Sequence, residues 1–167
     1  MKKLITILGP NGIGKSTTAK MFVELYTNTA YVDAEWCRYM NPFAFTQENK
    51  QVVIENIFCL LHNYFSCSNV DTVIFPYGWH GERKLIHERV IEKLIKNGID
   101  FQEHIVVLKC SKEENIKREK NDGRDEDRIK RSIENTFDFY NGLDYPCIDT
   151  TNMTPSEVAK AIKTLIS

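Results

Sequence analysis

The feature that most constrains this chain is a glycine-rich turn at residues 9–16, which reads Gly-Pro-Asn-Gly-Ile-Gly-Lys-Ser. It follows an apolar run at residues 4–8 and precedes a helical pattern that begins at Lys15. Glycines let the backbone turn its N–H groups around an anion, and the following helix adds the positive end of its dipole. Residues 9–16, here called the phosphate loop, therefore predict a phosphate site in which Lys15 adds an ammonium and Ser16 can ligate Mg²⁺.

Short apolar runs alternate with longer amphipathic patterns along the whole chain, and no repeat or linker interrupts them. This alternation predicts a single α/β domain, residues 1–167, in which helices cover a parallel sheet. Strands are predicted at residues 4–8, 30–33, 72–75, 105–109 and 147–149. Helices are predicted at residues 15–26, 47–65 and 82–96, and a last helix opens at residues 154–157, whose Thr-Pro-Ser-Glu sequence is typical of a capping box.

The composition limits the class of protein. The 167 residues include 22 basic and 23 acidic side chains, a balance that disfavours a nucleic-acid partner held by overall basicity. No stretch approaches the ~18 apolar residues of a membrane helix. The five cysteines are widely spaced and form no CxxC pair, which favours reduced thiols over disulfides or a zinc site. We therefore expect a soluble, cytoplasmic protein with no membrane partner, and the sequence leaves both a monomer and a homodimer open.

The phosphate loop and its context resemble the P-loop kinases, which include adenylate, shikimate and gluconate kinases, and also small bacterial proteins of the nucleotide-kinase-like type. The resemblance extends over most of the chain. It implies a three-layer α/β/α P-loop NTPase fold with a five-stranded parallel sheet, a short helical lid at about residues 118–131 and an acceptor-binding region at about 33–65. It also implies ATP and Mg²⁺ as cofactors. The nucleotide-binding residues are then Gly9, Asn11, Gly12, Ile13, Gly14, Lys15, Ser16, Thr17, Arg118 and Pro155.

Two carboxylates, Asp33 and Glu35, stand at the end of the second predicted strand. In phosphoryl transfer one such acid can hold Mg²⁺ through water while the other orients or deprotonates an acceptor hydroxyl. Shikimate kinases are similar here, with a DxD at the matching place, although Glu35 replaces the second aspartate. A helix N-cap followed by an acid in the first turn is the structural alternative. We predict that Ser16 and Asp33 bind the metal and that Lys15, Asp33 and Glu35 are catalytic, with the base left open between the two acids.

Side chains that suit acceptor binding follow the second and third strands. An aromatic cluster that surrounds Arg38 would fit a planar or apolar acceptor with an anionic group, or would equally form core beneath a long loop. By analogy with adenylate-type kinases, the loop after the third strand also faces the acceptor, although His80 could simply pack at a helix start. The only acid of this region, Asp71, precedes the strand, which disfavours a motor ATPase or a switch GTPase. Besides Asp33 and Glu35, the predicted acceptor-binding residues are Trp36, Arg38, Tyr77, Trp79, His80 and Arg83.

Residues 112–131 carry eight basic and seven acidic side chains around a central glycine. A solvated pair of helices would explain this charge. P-loop kinases, however, carry a lid at the corresponding place, and its arginines stabilise the charge that develops on the transferred phosphoryl group. The resemblance implies that Arg118 stacks on adenine and that Arg124 reaches the transferred phosphate. It also implies that Arg128 is a second catalytic arginine, which Arg131 could join, and that Pro155 contacts the base.

The sequence thus predicts an ATP-dependent, Mg²⁺-requiring phosphotransferase that acts on a small molecule. The acceptor group is a hydroxyl or a nucleotide phosphate, and nucleosides, sugars, sugar acids and antibiotics all stay open. A nucleotide-binding regulatory protein, either an ATP sensor or an AAA-like ATPase, is the alternative. A polynucleotide kinase would need a basic track that this balanced chain lacks.

Overall fold

The computed structural model describes all 167 residues. The strands are β1 (Lys2–Leu8), β2 (Thr29–Tyr31), β3 (Thr72–Pro76), β4 (Phe101–Lys109) and β5 (Cys147–Asp149). The helices are α1 (Lys15–Leu25), α2 (Gln47–Ser66), α3 (Arg83–Lys96), α4 (Lys112–Asn121), α5 (Glu126–Ser132), α6 (Asp138–Asn141) and α7 (Pro155–Leu165). A 3₁₀ turn spans Trp36–Arg38, and a π-helical segment, Ile133–Phe137, joins α5 to α6.

The five strands form one parallel sheet in the order β2-β3-β1-β4-β5. Strand β1 is central, and its Leu4 lies beside Val73 of β3 and Glu103 of β4. The chain runs from β1 toward one sheet edge and later returns to the other side of β1 through β4. This reversal places a topological switch point at the carboxyl end of β1, where ligands of open α/β sheets bind.

Two helical layers cover the sheet because side chains of successive strand residues point to opposite faces. Leu4 and Leu8 of β1 pack into a buried cluster with residues of α2 and α3. Ile5 and Ile7 pack on the other face with residues of α1 and α7, including the fully buried Ile162. The predicted three-layer α/β/α fold with five parallel strands is confirmed.

All five predicted strands are present, and β1 and β4 begin earlier than expected. The capping box of α7 is also confirmed, with the Thr154 hydroxyl accepting from the Glu157 N–H and the Glu157 carboxylate accepting from the Thr154 N–H. The charged segment forms α4 and α5, as a helix pair would, but the helical conformation continues to Asn141, which was not predicted. None of the helices combines the length and apolar character needed to cross a membrane.

Candidate functional site

The phosphate loop connects β1 to α1 at the carboxyl edge of the sheet. Gly9 has φ +148°, and a Cβ built on it would lie 2.7 Å from the carbonyl oxygen of Leu108 in β4. Gly14, the residue before α1, has φ +98°. These two positions require glycine because a side chain would be strained at both and would collide with β4 at the first. The backbone can therefore form the turn that directs N–H groups toward an anion.

Lys15 begins α1 and folds back over this loop. Its Nζ donates hydrogen bonds to the carbonyl oxygens of Gly9 and Pro10, both at 2.8 Å. Burial lowers the pKa of Lys15 to about 8, and the nearby Arg124 and Arg83 guanidinium groups act in the same direction. An anion beside Nζ would reverse this effect, since a negative charge favours the ammonium form.

A cavity of about 680 Å³ opens beside the phosphate loop at the carboxyl ends of the strands. Six basic side chains line it against three acidic ones, Asp33, Glu35 and Asp122. This excess of positive charge favours a polyanionic ligand. The basic residues are Lys15, Arg38, Arg83, Arg124, Arg128 and Arg131. The predicted site residues that the structure brings together on this wall are Asn11, Gly12, Gly14, Lys15, Ser16, Thr17, Asp33, Glu35, Arg38, Tyr77, His80, Arg83, Arg124 and Arg128.

The two predicted acids lie together at the end of β2. Asp33 is held at both carboxylate oxygens, with Oδ2 accepting from the Tyr31 hydroxyl at 2.7 Å and Oδ1 from the Glu35 N–H at 2.8 Å. Glu35 is 70% exposed at its side chain and forms an ion pair with Arg38. Asp33 is thus oriented by the fold, whereas Glu35 is free to change its conformation.

Trp36 is not on the cavity wall. In the 3₁₀ turn, residues three apart share a face, so Glu35 and Arg38 face the cavity while Trp36 and Tyr39 lie on the outside. Trp36 is 72% exposed, and its ring pairs with that of Tyr39 at 5.3 Å between centroids. It contacts neither the cavity nor the core, which is the outcome that neither sequence interpretation anticipated.

Trp79 is also absent from the cavity wall, because its side chain is buried in the core of the α2–α3 face. Its ring packs against His87 and Tyr145, and its Nε1 has no hydrogen-bond partner. The side chain turns inward directly after β3, so the apolar ring joins the core rather than an acceptor site.

His80 and Arg83 meet at the start of α3. Arg83 Nη1 contacts His80 Nε2, and because guanidinium can only donate, Nε2 accepts and the ring proton lies on Nδ1. Nδ1 then donates to the hydroxyl oxygen of Tyr140 at 3.1 Å, which also accepts from the Trp79 N–H at 2.8 Å. Burial lowers the pKa of His80 to about 4, with further contributions from Arg83, Lys15 and Arg38, so the ring is neutral.

Arg118 lies behind the phosphate loop rather than on the cavity wall. Its guanidinium donates to the Ile13 carbonyl at 3.1 Å and to the Thr150 hydroxyl and carbonyl at 2.9 and 2.7 Å. It also pairs with Glu114 at 2.9 Å. Arg118 therefore ties the phosphate loop to the loop after β5. The hydrogen bonds that a guanidinium donates lie in its plane, so they do not occupy its faces.

The remaining predicted nucleotide contacts are not on the cavity wall. Gly9 and Ile13 belong to the phosphate loop and are buried, and Pro155 is exposed at the first turn of α7. Sequence reasoning missed Tyr140, together with Ser132, Asn135 and Thr136 of the cavity wall. Apolar residues at positions 129, 133 and 140 follow helical spacing, a signal that predicts the continued helix.

Comparison with known proteins gives a fold but no sequence family. A scan against protein-family models found no match, and a search of curated proteins found none. Among solved structures, the tunicamycin resistance protein of Deinococcus radiodurans aligns with 18% identity and a TM-score of 0.71, covering 100% of this chain and 96% of that chain.

Two named kinases also align over most of their length. Shikimate kinase from Acinetobacter baumannii, solved with shikimate, has 19% identity and a TM-score of 0.59, covering 99% of this chain and 93% of its own. A gluconokinase from Sinorhizobium meliloti 1021 has 12% identity and a TM-score of 0.60, covering 95% and 87%. The chain thus has the fold of the P-loop small-molecule kinases.

Proposed function

We propose that this chain transfers the γ-phosphoryl group of ATP to a small-molecule acceptor, with Mg²⁺, and that residues 1–167 act as one kinase domain. The observation that carries the proposal is the shared wall of one cavity. The phosphate loop and three arginines, Arg124, Arg128 and Arg131, lie on the same wall as Asp33 and Glu35. Phosphoryl transfer needs these elements together, since positioning and charge stabilisation supply most of its catalysis.

The residues present fit a nucleotide triphosphate with its metal. The close approach of Gly9 to β4 leaves room for backbone but not for a side chain, as a phosphate cradle requires. Ser16 and Asp33 would hold Mg²⁺, the latter through water. Mg²⁺, when bound, neutralises charge on the phosphates. Arg118, which donates to the Thr150 carbonyl in the loop that leads to Pro155, would stack on adenine.

Either Asp33 or Glu35 prepares the acceptor hydroxyl in this proposal. Asp33 is fixed by Tyr31, and Glu35 reaches the cavity beside it. Arg124 and Arg128 stabilise the charge on the transferred group, and residues 118–131 serve as the lid. The roles of the two acids differ in one property, because the base takes up the proton of the acceptor hydroxyl while the metal-orienting acid stays ionised.

The acceptor in this proposal carries a hydroxyl and a negative charge. Arg83 is half-buried in the cavity wall and has no carboxylate partner, and Arg38 is near enough to lower its pKa beyond the effect of burial. Two guanidinium groups that repel each other favour an anion between them. Phe43 and Phe45 line the same part of the wall. Two structural neighbours are a shikimate kinase and a gluconokinase, and shikimate and gluconate are hydroxy acids of this kind.

A phosphotransfer screen tests the proposal. ADP release would be measured with sugar acids, sugars, nucleosides, nucleotides and aminoglycosides, for the wild type and for Glu35→Gln. Glu48→Gln is the matched control, since Glu48 is exposed in the first turn of α2. We expect a hydroxy acid to give the highest turnover and Glu35→Gln to lower kcat about 100-fold if Glu35 is the base. Full activity of Glu35→Gln assigns the base to Asp33, and tight ATP binding without any acceptor-stimulated turnover favours the regulatory protein instead.

A further inference from the structure

Glu119 is a carboxylate with no exposure to solvent, although it lies in the most charged part of the sequence. Its Oε1 accepts from the Ser132 hydroxyl at 2.8 Å and from Asn115 Nδ2 at 3.1 Å. Its Oε2 accepts from Arg124 Nη1 at 2.8 Å. A buried carboxylate without hydrogen-bond donors would strongly destabilise the fold. These three hydrogen bonds therefore explain how Glu119 can be buried.

The Glu119 side chain also lies directly against the phosphate loop. A Cβ built on Gly12 would be 2.3 Å from Glu119 Cγ, so only glycine allows the two segments to pack. Asn115 Nδ2 donates to the Asn11 carbonyl oxygen at 3.0 Å as well as to Glu119. The carboxylate therefore connects the phosphate loop, α4, α5 and the turn that carries Arg124.

Arg124 differs from the other two arginines of the proposed lid that line the cavity. Its side chain is 22% exposed and lies on the cavity wall, with one guanidinium nitrogen committed to Glu119. Arg128 and Arg131 line the same wall without any ion pair. A charge-assisted hydrogen bond to a buried partner fixes a long side chain that would otherwise lose conformational entropy on binding an anion.

We propose that Glu119 is a positioning residue, which holds Arg124 against the phosphate loop so that its remaining donors face the γ-phosphate position before nucleotide binds. This inference rests on the proposed binding of ATP in the cavity. In this proposal, Arg124 is preorganised rather than mobile before nucleotide binds. The contact of Glu119 with Gly12 sets the distance between Arg124 and the loop, and the hydrogen bonds from Ser132 and Asn115 hold the carboxylate in place.

The test measures the preference for a triphosphate over a diphosphate, by calorimetry with a non-hydrolysable ATP analogue and with ADP. Glu119→Gln keeps the side-chain shape but removes the charge that holds Arg124. We expect the preference to fall about tenfold in Glu119→Gln and at least as much in Arg124→Ala. The double variant should show no further fall, because the effect of Glu119 passes through Arg124. Glu113→Gln, exposed on the same helix, is the control.

Two outcomes would overturn the proposal. One is an unchanged preference in Glu119→Gln, and the other is an equal fall with and without Arg124, which a purely structural role would produce. If Glu119→Gln does not fold, Glu119→Asp replaces it, because this variant keeps the charge and withdraws the carboxylate by one methylene. An intermediate fall in preference supports positioning, and wild-type preference in Glu119→Asp contradicts it.

The readout separates this inference from the proposed function, because the ATP analogue is not turned over. A fall in preference in a protein that phosphorylates no acceptor leaves positioning intact and removes the kinase assignment. Acceptor phosphorylation by the wild type, with an unchanged preference in Glu119→Gln, keeps the kinase assignment and removes the positioning role. A wild type that binds neither nucleotide removes both.

Discussion

The cavity has two ends that are built in different ways. Under the proposed function, the phosphate loop forms the donor end, and Glu35, Arg38 and Arg83 form the acceptor end. At the donor end, the phosphate loop is fixed by backbone geometry, by the hydrogen bond from Arg118 to the Ile13 carbonyl and by the packing of the buried Glu119 against Gly12. At the acceptor end, Glu35, Arg38 and Arg83 project from loops and helix starts, and the fully buried Tyr140 hydrogen-bonds to His80 and the Trp79 N–H rather than to any of these three side chains. A fixed donor end and an adjustable acceptor end are consistent with the proposed function, since one fold can carry different sites on its loops.

Side chains at the acceptor end also contact one another. Arg83 lies over the ring of Phe45 at 5.4 Å, and Phe43 meets Phe45 edge to face at 5.1 Å between centroids. Lys50, from α2, pairs with Glu82 across this region. These are contacts between side chains that substitutions can exchange without disturbing the sheet, which is why we expect the two ends to respond differently to mutation.

The largest expected effect is at the donor end, from Lys15→Met. Removal of the ammonium from the phosphate loop should lower phosphotransfer about 100- to 1,000-fold, since a preorganised group at the reacting phosphate is lost. Lys20→Met, on the exposed side of α1, is the control and should keep wild-type activity. The measurement is kcat together with the thermal unfolding midpoint. Phosphotransfer at the wild-type rate in Lys15→Met would remove the phosphate loop from the mechanism.

The next largest expected effect is at the acceptor end, from Arg83→Gln. Arg83→Gln should raise KM for an anionic acceptor about tenfold to 100-fold, because a hydrogen bond to a charged group contributes ~1.5–3 kcal/mol, and should leave ATP affinity unchanged. Arg89→Gln, exposed on α3, is the matched control. Steady-state kinetics with both substrates varied make the measurement. Weakened ATP binding in Arg83→Gln would contradict the division into two ends.

A third prediction compares two glycines with the same backbone angle. Gly12 and Gly98 both have φ +74°, but only Gly12 faces a neighbour, the side chain of Glu119, while nothing lies within 4 Å of a Cβ on Gly98. Gly98→Ala should lower the free energy of unfolding by about 1 kcal/mol through left-handed strain alone. Gly12→Ala should lower it further and weaken ATP binding. Chemical denaturation and calorimetry measure both, and equal effects of the two changes would contradict the packing of Glu119 on the loop.

The same contrast explains what the sequence could predict. The glycine-rich turn between β1 and α1, the five strands and the cap of α7 depend on local rules, namely glycine positions, apolar runs and a Thr-x-x-Glu spacing, so their places in the fold were predicted correctly. Phosphate binding by this turn stays a prediction. The burial of Glu119 depends on its contact with Gly12, more than one hundred residues earlier, and no local pattern signals it. Trp79 and Trp36 show the same limit, since the direction of a loop side chain is set by tertiary packing.

The smallest expected effect is a pH dependence of stability that comes from the acceptor end. Because the pKa of His80 falls to about 4 in the folded protein, from an ordinary value of 6.5, the unfolded chain binds more protons between these limits. The free energy of unfolding should therefore decrease as pH falls from about 6.5 to 4. His80→Gln should flatten this part of the curve of urea midpoint against pH, and His62→Gln, whose ring lies on α2 away from the cavity, should not. Lys15, with a pKa of about 8, titrates in a separate window, and His104, whose pKa burial also lowers, accounts for a slope that remains in His80→Gln. A slope that His80→Gln leaves unchanged would show that His80 does not carry this pH dependence.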